Sequence, residues 1–464
     1  MSTGRTSRGV EEHVAAVLAH VAPLVAVDVG LAGLAVGEPG LVLAGDLHAE
    51  AAVPPFDAAA MDGYAVRLAD LPPDGTPVTL PVVGDSRPGS PAHRCERAMG
   101  PASAGAEGAS PAHSVTGVVR IMTGAPVPAW ADAVVPVERT STGRFVAGSP
   151  TTEHEVTLAR QPRAHVRRRA EDVAPGDLLA RAGSAVTPAL VAVAASGGLT
   201  TLPVRRRPRV AVLSTGSELL PAGAGADTTD SGRIPDSNSL LLAALVRAAG
   251  ADAVRTGAVP DDADALRAAL DHAVSGRSAP SDGVEGGARP PPAAREVDLV
   301  VTTGGVSAGA SDVVRAVLAT PDDRLRAVEV AAVALRPGHP QALARWRDVP
   351  WLALPGNPVS AFVSFALFVR PAIDALAGRA PDVRTLRRRS ASAWSSPPGR
   401  VHVVPVRTLA SGDVEHVVGP AGHASSALLG ADALAVVPAD VEKVAVGDEL
   451  DVLPLDGVPP GRHA

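Results

Sequence analysis

The sequence predicts a multidomain α/β protein: a central, mostly parallel sheet covered by helices, with a small β domain inserted before it and a β domain after it. Three observations carry this. Between 209 and 378, apolar runs of strand length alternate with stretches of helical periodicity. That alternation requires crossover connections, and so a sheet buried on both faces. The stretches 50–160 and 390–455 are instead Val-rich, short and turn-rich, as small β domains are. Finally, 464 residues with 46% hydrophobic content can fill three or four cores.

In chain order, residues 10–27 read as an amphipathic helix, with Val14, Val17, Leu18 and Val21 at helical spacing. Segments 1–50 and 160–206 are expected to form one discontinuous helical and mixed domain, with 51–159 as the inserted β domain. Three tracts, 86–114, 222–233 and 276–295, are low in complexity and expected to be disordered insertions. The α/β domain spans 207–380. Its expected strands are 209–215, 251–259, 297–305, 325–335 and 350–356; its expected helices are 238–250, 261–274, 311–319 and 358–378. Short strands resume in 385–464.

Composition excludes several functions. The net charge of -7 opposes a nucleic-acid-binding face. The one cysteine, Cys95, rules out an intrachain disulfide, lies in a low-complexity tract and fits a reducing cytoplasm. The first residues carry no apolar stretch of signal-peptide type. The longest apolar run, Pro358 to Leu376, is interrupted by Arg370-Pro371 and reads as a core helix, so no membrane association is expected. The histidines show no metal-ligand spacing. Arg205, Arg206, Arg207 and Arg209 read as a solvated hinge, and the four tryptophans as packing residues.

Chemistry is expected on three loops at the carboxyl ends of α/β strands: STGSEL (214–219), TTGGVSAGASD (302–312) and LPGNPVS (354–360). Gly304, Gly305 and Gly309 strip the second loop of side chains, and Pro355 and Pro358 stiffen the third. Both run into helices, whose free N–H groups and dipole favour a phosphate. Any one such loop is ordinary; three at one sheet edge indicate a pocket. Three further segments, 54–66, 120–138 and 167–188, would alone pass for capped or charged turns and a β connection.

Together these segments resemble the molybdopterin molybdenumtransferase family, which includes the gephyrin E-domain. The matching residues are FDAAAMDGYA (56–65), IMTGAPVPAWADAVVPVE (121–138), the Ala-Glu-Asp turn (170–172), RPRVAVLSTGSEL (207–219), IPDSN (234–238), GGVSAGASD (304–312) and LPGNPVSAF (354–362), with a weaker match at 422–438. The resemblance implies a molybdopterin-binding fold at 207–380 and an elongated homodimer. It places the site between the α/β domain of one subunit and the MDGY-bearing domain of the other. It also implies insertion of molybdate-derived molybdenum into adenylylated molybdopterin with release of AMP, Mg²⁺ as cofactor, and the molybdopterin adenylyltransferase as a partner.

Carried onto this chain, the resemblance gives Asp62, Thr123, Asp172, Glu218, Asp261, Asp312 and Arg336 catalytic roles, with Asp62, Asp172, Glu218 and Asp312 as metal ligands. Thr215, Gly216, Gly304, Gly305, Ser307, Gly309, Pro355, Gly356, Asn357 and Pro358 would bind the pterin substrate. The departures are one-sided. Ala332 and His339 stand where the family carries lysines, Arg336 replaces another lysine, and Ala59, Pro405 and Ala421 replace hydroxyl or basic residues. The acidic half of the site is kept and the half that would hold molybdate is thinned, with Arg336, Arg400 and Arg407 as candidates to compensate. A molybdopterin-binding or scaffold paralogue without molybdate chemistry is therefore the alternative.

Overall fold

The structure, a computed structural model, describes residues 7–34, 40–94, 117–145, 153–221, 232–275, 297–306, 312–381, 385–417 and 425–455. Cys95, Ser307, Gly309, Ala421 and most of the three low-complexity tracts lie outside the described residues.

At the centre is a six-stranded sheet in the order Asp252–Val259, Arg209–Thr215, Leu299–Thr303, Val349–Leu354, Pro340–Trp346, Leu325–Ala332. The first four strands are parallel, and Pro340–Trp346 runs antiparallel to both its neighbours, Val349–Leu354 and Leu325–Ala332. Alternation along each strand feeds two cores. Val210 and Val212 pack against Leu242 and Val246 of helix Asn238–Ala248 and against Phe362 and Phe368. Ala211 and Leu213 face Leu266 and Leu270 of helix Ala263–Ser275 and Val314 and Val317 of helix Val313–Ala319. Each large aliphatic chain so buried contributes about 1.5–3 kcal/mol.

Helix Pro358–Leu376 is long and apolar enough to cross a bilayer, yet 83% of it is buried within the fold. Arg370-Pro371 does not break it. Pro371 has no N–H to give the preceding turn, and the turn there, Phe365–Val369, widens into a π-helix that carries the helix past it.

The expected strand 325–335 ends at Ala332, and Leu335–Arg336 pairs instead with Val401–Thr408 of the C-terminal sheet. Strand Pro340–Trp346 was not expected, because Gln341 and Arg345 spoil its apolar run. Gln341 is nonetheless tolerated in the interior: its amide donates to Gly338 O at 2.9 Å and to Ser364 Oγ at 2.7 Å.

The first helix is Val10–Ala19, shorter than expected, and Ala26–Gly30 is a strand paired with Thr201–Arg205. Pro23 accounts for the stop, since it has no N–H to give the Ala19 carbonyl four residues back and its ring clashes with that carbonyl. The helix buries Val17 in the α/β core and sets His13 edge-on against Phe368, with centroids 4.7 Å apart. Burial and nearby Arg8 push the His13 imidazole down to about 4.

The arginine run is not a solvated hinge. Arg205 donates to Leu24 O. Arg206 grips Asp298 with two bonds of 2.6 and 2.7 Å. Arg207 pairs with Asp252 at 3.4 Å. These contacts tie the run to the segment after the first helix and to the base of the central sheet.

A β-sheet ordered Glu155–Leu158, Val78–Arg87, Val118–Ile121, Gly63–Val66, Ala133–Pro136 carries the MDGY segment. A Cβ at Gly63 would lie 2.0 Å from Val135 O, so only glycine lets these strands close. The described part of the first low-complexity tract is ordered: Ser90–Arg94 folds back on Val78–Arg87 as a hairpin turned at Gly89, whose φ is +76°. Val401–Thr408, Ala433–Val437, Glu449–Pro454 and Leu386–Arg389 form the C-terminal sheet.

Candidate functional site

Thr215, Thr303 and Leu354 end three adjacent parallel strands, and the three loops that follow meet there. They line a cavity of about 520 Å³. Thr215, Gly216, Glu218, Asp261, Gly304, Gly305, Asp312, Pro355, Gly356, Asn357 and Pro358 all contribute to its wall. The structure thus brings these eleven nominated residues together.

The close approach of the loops depends on glycine. A Cβ on Gly304 would sit 2.4 Å from Thr215 O, and φ there is +96°. One on Gly305 would sit 2.9 Å from Thr215 Oγ1, at φ +61°. A Cβ on Gly356 would reach to 3.3 Å from Gly304 Cα. Side chains would fill the cradle that these turns leave open. Asn357 caps helix Pro358–Leu376, its side chain accepting from Val359 N at 3.0 Å and Ser360 N at 3.2 Å. Among the described residues, no partner is present for the N–H of Gly305, Val306, Gly356 or Asn357. These donors and the helix dipole suit an anion.

The wall is otherwise acidic: Glu218, Asp236, Asp261 and Asp312, with no Lys, Arg or His among its described residues. Asp261 is braced against the first loop, accepting from Ser217 N at 3.0 Å while its own N–H donates to Ser217 Oγ at 2.9 Å. No group of three or more His, Cys, Asp or Glu among the described residues is close enough to hold a metal ion by itself. The four nominated ligands are therefore not one closed site: Glu218 and Asp312 face the cavity, while Asp62 and Asp172 do not line it.

Asp62 accepts from Thr123 N at 2.7 Å and Thr123 Oγ1 at 2.8 Å, so these two nominated residues form a unit on the MDGY-bearing sheet. Asp172 follows a turn whose Arg168 pairs with Asp57 at 2.7 Å. The backbone and side-chain bonds of Arg169 and Arg168 hold the Asp57 carboxyl below the usual carboxylate range.

The thinned basic half is more local than the sequence indicated. Arg336 lies in register with His402, and Arg400 is close enough to act on His339. Both arginines are exposed and have no carboxylate partner among the described residues. The imidazoles do not replace lysine charge. Burial, Arg336 and His416 push His402 down to about 4, and burial and Arg400 lower His339. Pro340, next to His339, lines the cavity, which places this cluster beside it. Arg407 does not compensate: it is bound to Glu415 at 2.6 Å. Pro405 lies mid-strand opposite Leu434. The Ala332 carbonyl accepts from Arg8 N and Ser7 Oγ, both at 2.9 Å.

Sequence reasoning did not nominate Asp236, Asn238 or Pro340 for the wall, and it placed Ser214 and Thr303 in the site loops without giving either a role. IPDSN (234–238) held the signal for Asp236 and Asn238, two polar side chains at the start of helix Asn238–Ala248.

Comparison with known proteins follows the same layout. The family descriptions "MoeA N-terminal region (domain I and II)", "Probable molybdopterin binding domain" and "MoeA C-terminal region (domain IV)" match residues 8–198, 211–281 with 292–375, and 387–455. Molybdopterin molybdenumtransferase 2 of Mycobacterium tuberculosis is 38% identical over 426 residues, covering 89% of this chain and 92% of that protein. Molybdopterin molybdenumtransferase 1 of the same organism is 33% identical, with the same coverage. The crystal structure of the molybdopterin biosynthesis protein MoeA from Pyrococcus horikoshii superposes with a TM-score of 0.74 at 25% identity, covering 97% of this chain and 99% of that one.

Proposed function

The chain belongs to the molybdopterin molybdenumtransferase family of molybdenum cofactor biosynthesis, and from that premise we propose that it transfers molybdate-derived molybdenum to adenylylated molybdopterin with release of AMP. The observation that carries this reading is the cradle: three glycine-bearing turns at one sheet edge, with N–H groups that have no partner among the described residues and a capped helix start. The turns take the phosphate end of the pterin. Arg336 and Arg400, with no carboxylate partner among the described residues, attract the molybdate dianion to the Pro340 side.

A phosphate beside four carboxylates needs positive charge that the described wall lacks. The donor set fits a hard divalent cation shared with the substrate: Mg²⁺ commonly takes one or two carboxylates and completes its shell with phosphate and water. One or two of Glu218, Asp261 and Asp312 would hold it, together with the phosphate. Bound there, Mg²⁺ would neutralise phosphate charge as the adenylate leaves.

Asp62 and Thr123 enter the site on this reading from a second copy of the chain, as a homodimer. The cytoplasm, where a reduced Cys95 is compatible with function, is the compartment this reading assumes.

The test is AMP release from adenylylated molybdopterin with Mg²⁺ and molybdate. Release should depend on molybdate and stop with EDTA. Mixing Asp62→Ala with Gly304→Ala subunits should restore about a quarter of wild-type activity, because a two-fold dimer of the two variants keeps one intact site. Pterin binding without AMP release at any molybdate concentration would overturn the transferase reading and favour a binding paralogue. No gain on mixing would overturn the shared site.

A further inference from the structure

Close behind Asp62 in the chain, Tyr64 is fully buried in the core of the MDGY-bearing sheet. Its hydroxyl meets two groups. It donates to Glu153 Oε2 at 2.5 Å and lies 2.9 Å from Thr142 Oγ1. A phenol has one proton and a carboxylate only accepts, so the Thr142 hydroxyl donates to the phenol oxygen. Burial and the bond to Glu153 push the Tyr64 hydroxyl up to about 12, which keeps its proton in place near neutral pH.

One partner would satisfy a buried phenol, yet two converge here from separate points of the chain. Thr142 follows strand Ala133–Pro136 and Glu153 precedes strand Glu155–Leu158, and these strands are the opposite ends of the sheet. Val137 and Phe145 pack on the same core as the Tyr64 ring, so residues 137–145 cover the face that the ring enters. The start of this stretch holds Asp62: Val137 N donates to the Asp62 carbonyl at 3.0 Å. Further along, Ser141 N donates to Thr157 O at 2.9 Å. Asp62 is thus gripped on its carboxylate by Thr123 and on its carbonyl by Val137, and the Tyr64 hydroxyl pins the stretch that carries Val137.

Resting on the reading that Asp62 acts in the cavity of a second copy, we infer that Tyr64 is a positioning residue for the transfer: its hydroxyl locks residues 137–142 and so fixes where Asp62 and Thr123 stand when they meet the substrate. A phenylalanine ring would keep the packing and lose both hydroxyl bonds, leaving the stretch free to shift. Small displacements of a reacting group cost rate more than binding. The effect belongs to the chemical step, because Arg336 and Arg400, which attract molybdate, belong to the copy that supplies the cavity.

The test is steady-state AMP release by full-length variants, with circular dichroism and thermal melts to check that they fold. Tyr64→Phe is expected to lower kcat about tenfold and to leave the molybdate KM within about twofold. In an Asp62→Ala background the same substitution should cost less than about twofold, because it acts through Asp62. Mixed with Gly304→Ala subunits, Tyr64→Phe should recover to about a quarter of wild-type activity, since one site then combines an intact cavity with an intact MDGY-bearing domain. Mixed with Asp62→Ala subunits it should not exceed the mean of the two variants, because both changes lie in the same domain. Glu153→Gln, which keeps an acceptor for the phenol, should retain most of the rate, and Glu153→Ala should not. If Tyr64→Phe does not fold, Glu153→Ala takes its place in each measurement. An unchanged kcat in folded Tyr64→Phe, or the full loss repeated on top of Asp62→Ala, would overturn this inference and leave the transferase reading standing. No AMP release by the wild type, or no gain on mixing Asp62→Ala with Gly304→Ala, would overturn the reading on which it rests.

Discussion

Gly304→Ala is expected to lower AMP release at least about 100-fold and to destabilise the chain by about 2–4 kcal/mol. The added Cβ would lie 2.4 Å from Thr215 O and 2.9 Å from Thr215 Oγ1, in a left-handed conformation with φ +96°. Left-handed backbone alone costs a non-glycine residue about 1–2 kcal/mol, and the carbonyl cannot retreat without breaking the end of strand Arg209–Thr215. Movement of the turn displaces the amides that would face the phosphate; 100-fold corresponds to about 2.7 kcal/mol at 1.36 kcal/mol per decade. Gly412→Ala is the control. Gly412 also has positive φ, +87°, but a Cβ there meets nothing within 4 Å. It should lose about 1 kcal/mol in urea denaturation and keep full activity. Equal activity of the two variants would sink the cradle.

Arg336→Ala is expected to raise the molybdate KM roughly 100-fold, about 2.7 kcal/mol, with a much smaller effect on pterin binding. The reason is where the positive charge resides. His339 and His402 are held below the ordinary imidazole range by burial and by the arginines beside them, so they are mostly neutral at pH 7. The anion then depends on Arg336 and Arg400. Arg336→Lys should recover part of the loss, since it keeps the charge but not the fork. Because arginine does not titrate, the wild-type KM should change little between about pH 7 and about pH 9. Steady-state kinetics at several molybdate concentrations measures this. An unchanged KM in Arg336→Ala would move the molybdate site elsewhere.

Much of the fold was legible because burial on both faces of a parallel strand writes an unbroken apolar run. RVAVLST (209–215) and LVVTT (299–303) are such runs, and both are strands buried along nearly their whole length. The antiparallel edge was harder. Pro340–Trp346 carries Gln341 inside, and only the tertiary bonds of its amide make that position acceptable. Residues 20–27 kept helical spacing, but Pro23 ended the helix.

The site was legible where chemistry required bare backbone, as at Gly304, Gly305 and Gly356. It was not legible where a polar residue serves through its surroundings. Asp236 looks like any acid before a helix, until its burial and unpaired Oδ2 are seen. His339 looked like a substitute cation, and desolvation makes it a poor one. Arg407 looked available, and Glu415, brought alongside it by the pairing of Val401–Thr408 with Val414–His416, occupies it.

Amide hydrogen exchange with and without adenylylated molybdopterin tests the placement of the phosphate most directly. Peptides covering 303–306 and 355–358 should exchange more slowly once the substrate is bound, because their unpaired N–H groups acquire an acceptor. Unchanged exchange in both peptides, with protection elsewhere, would contradict the assignment of these turns as the phosphate cradle.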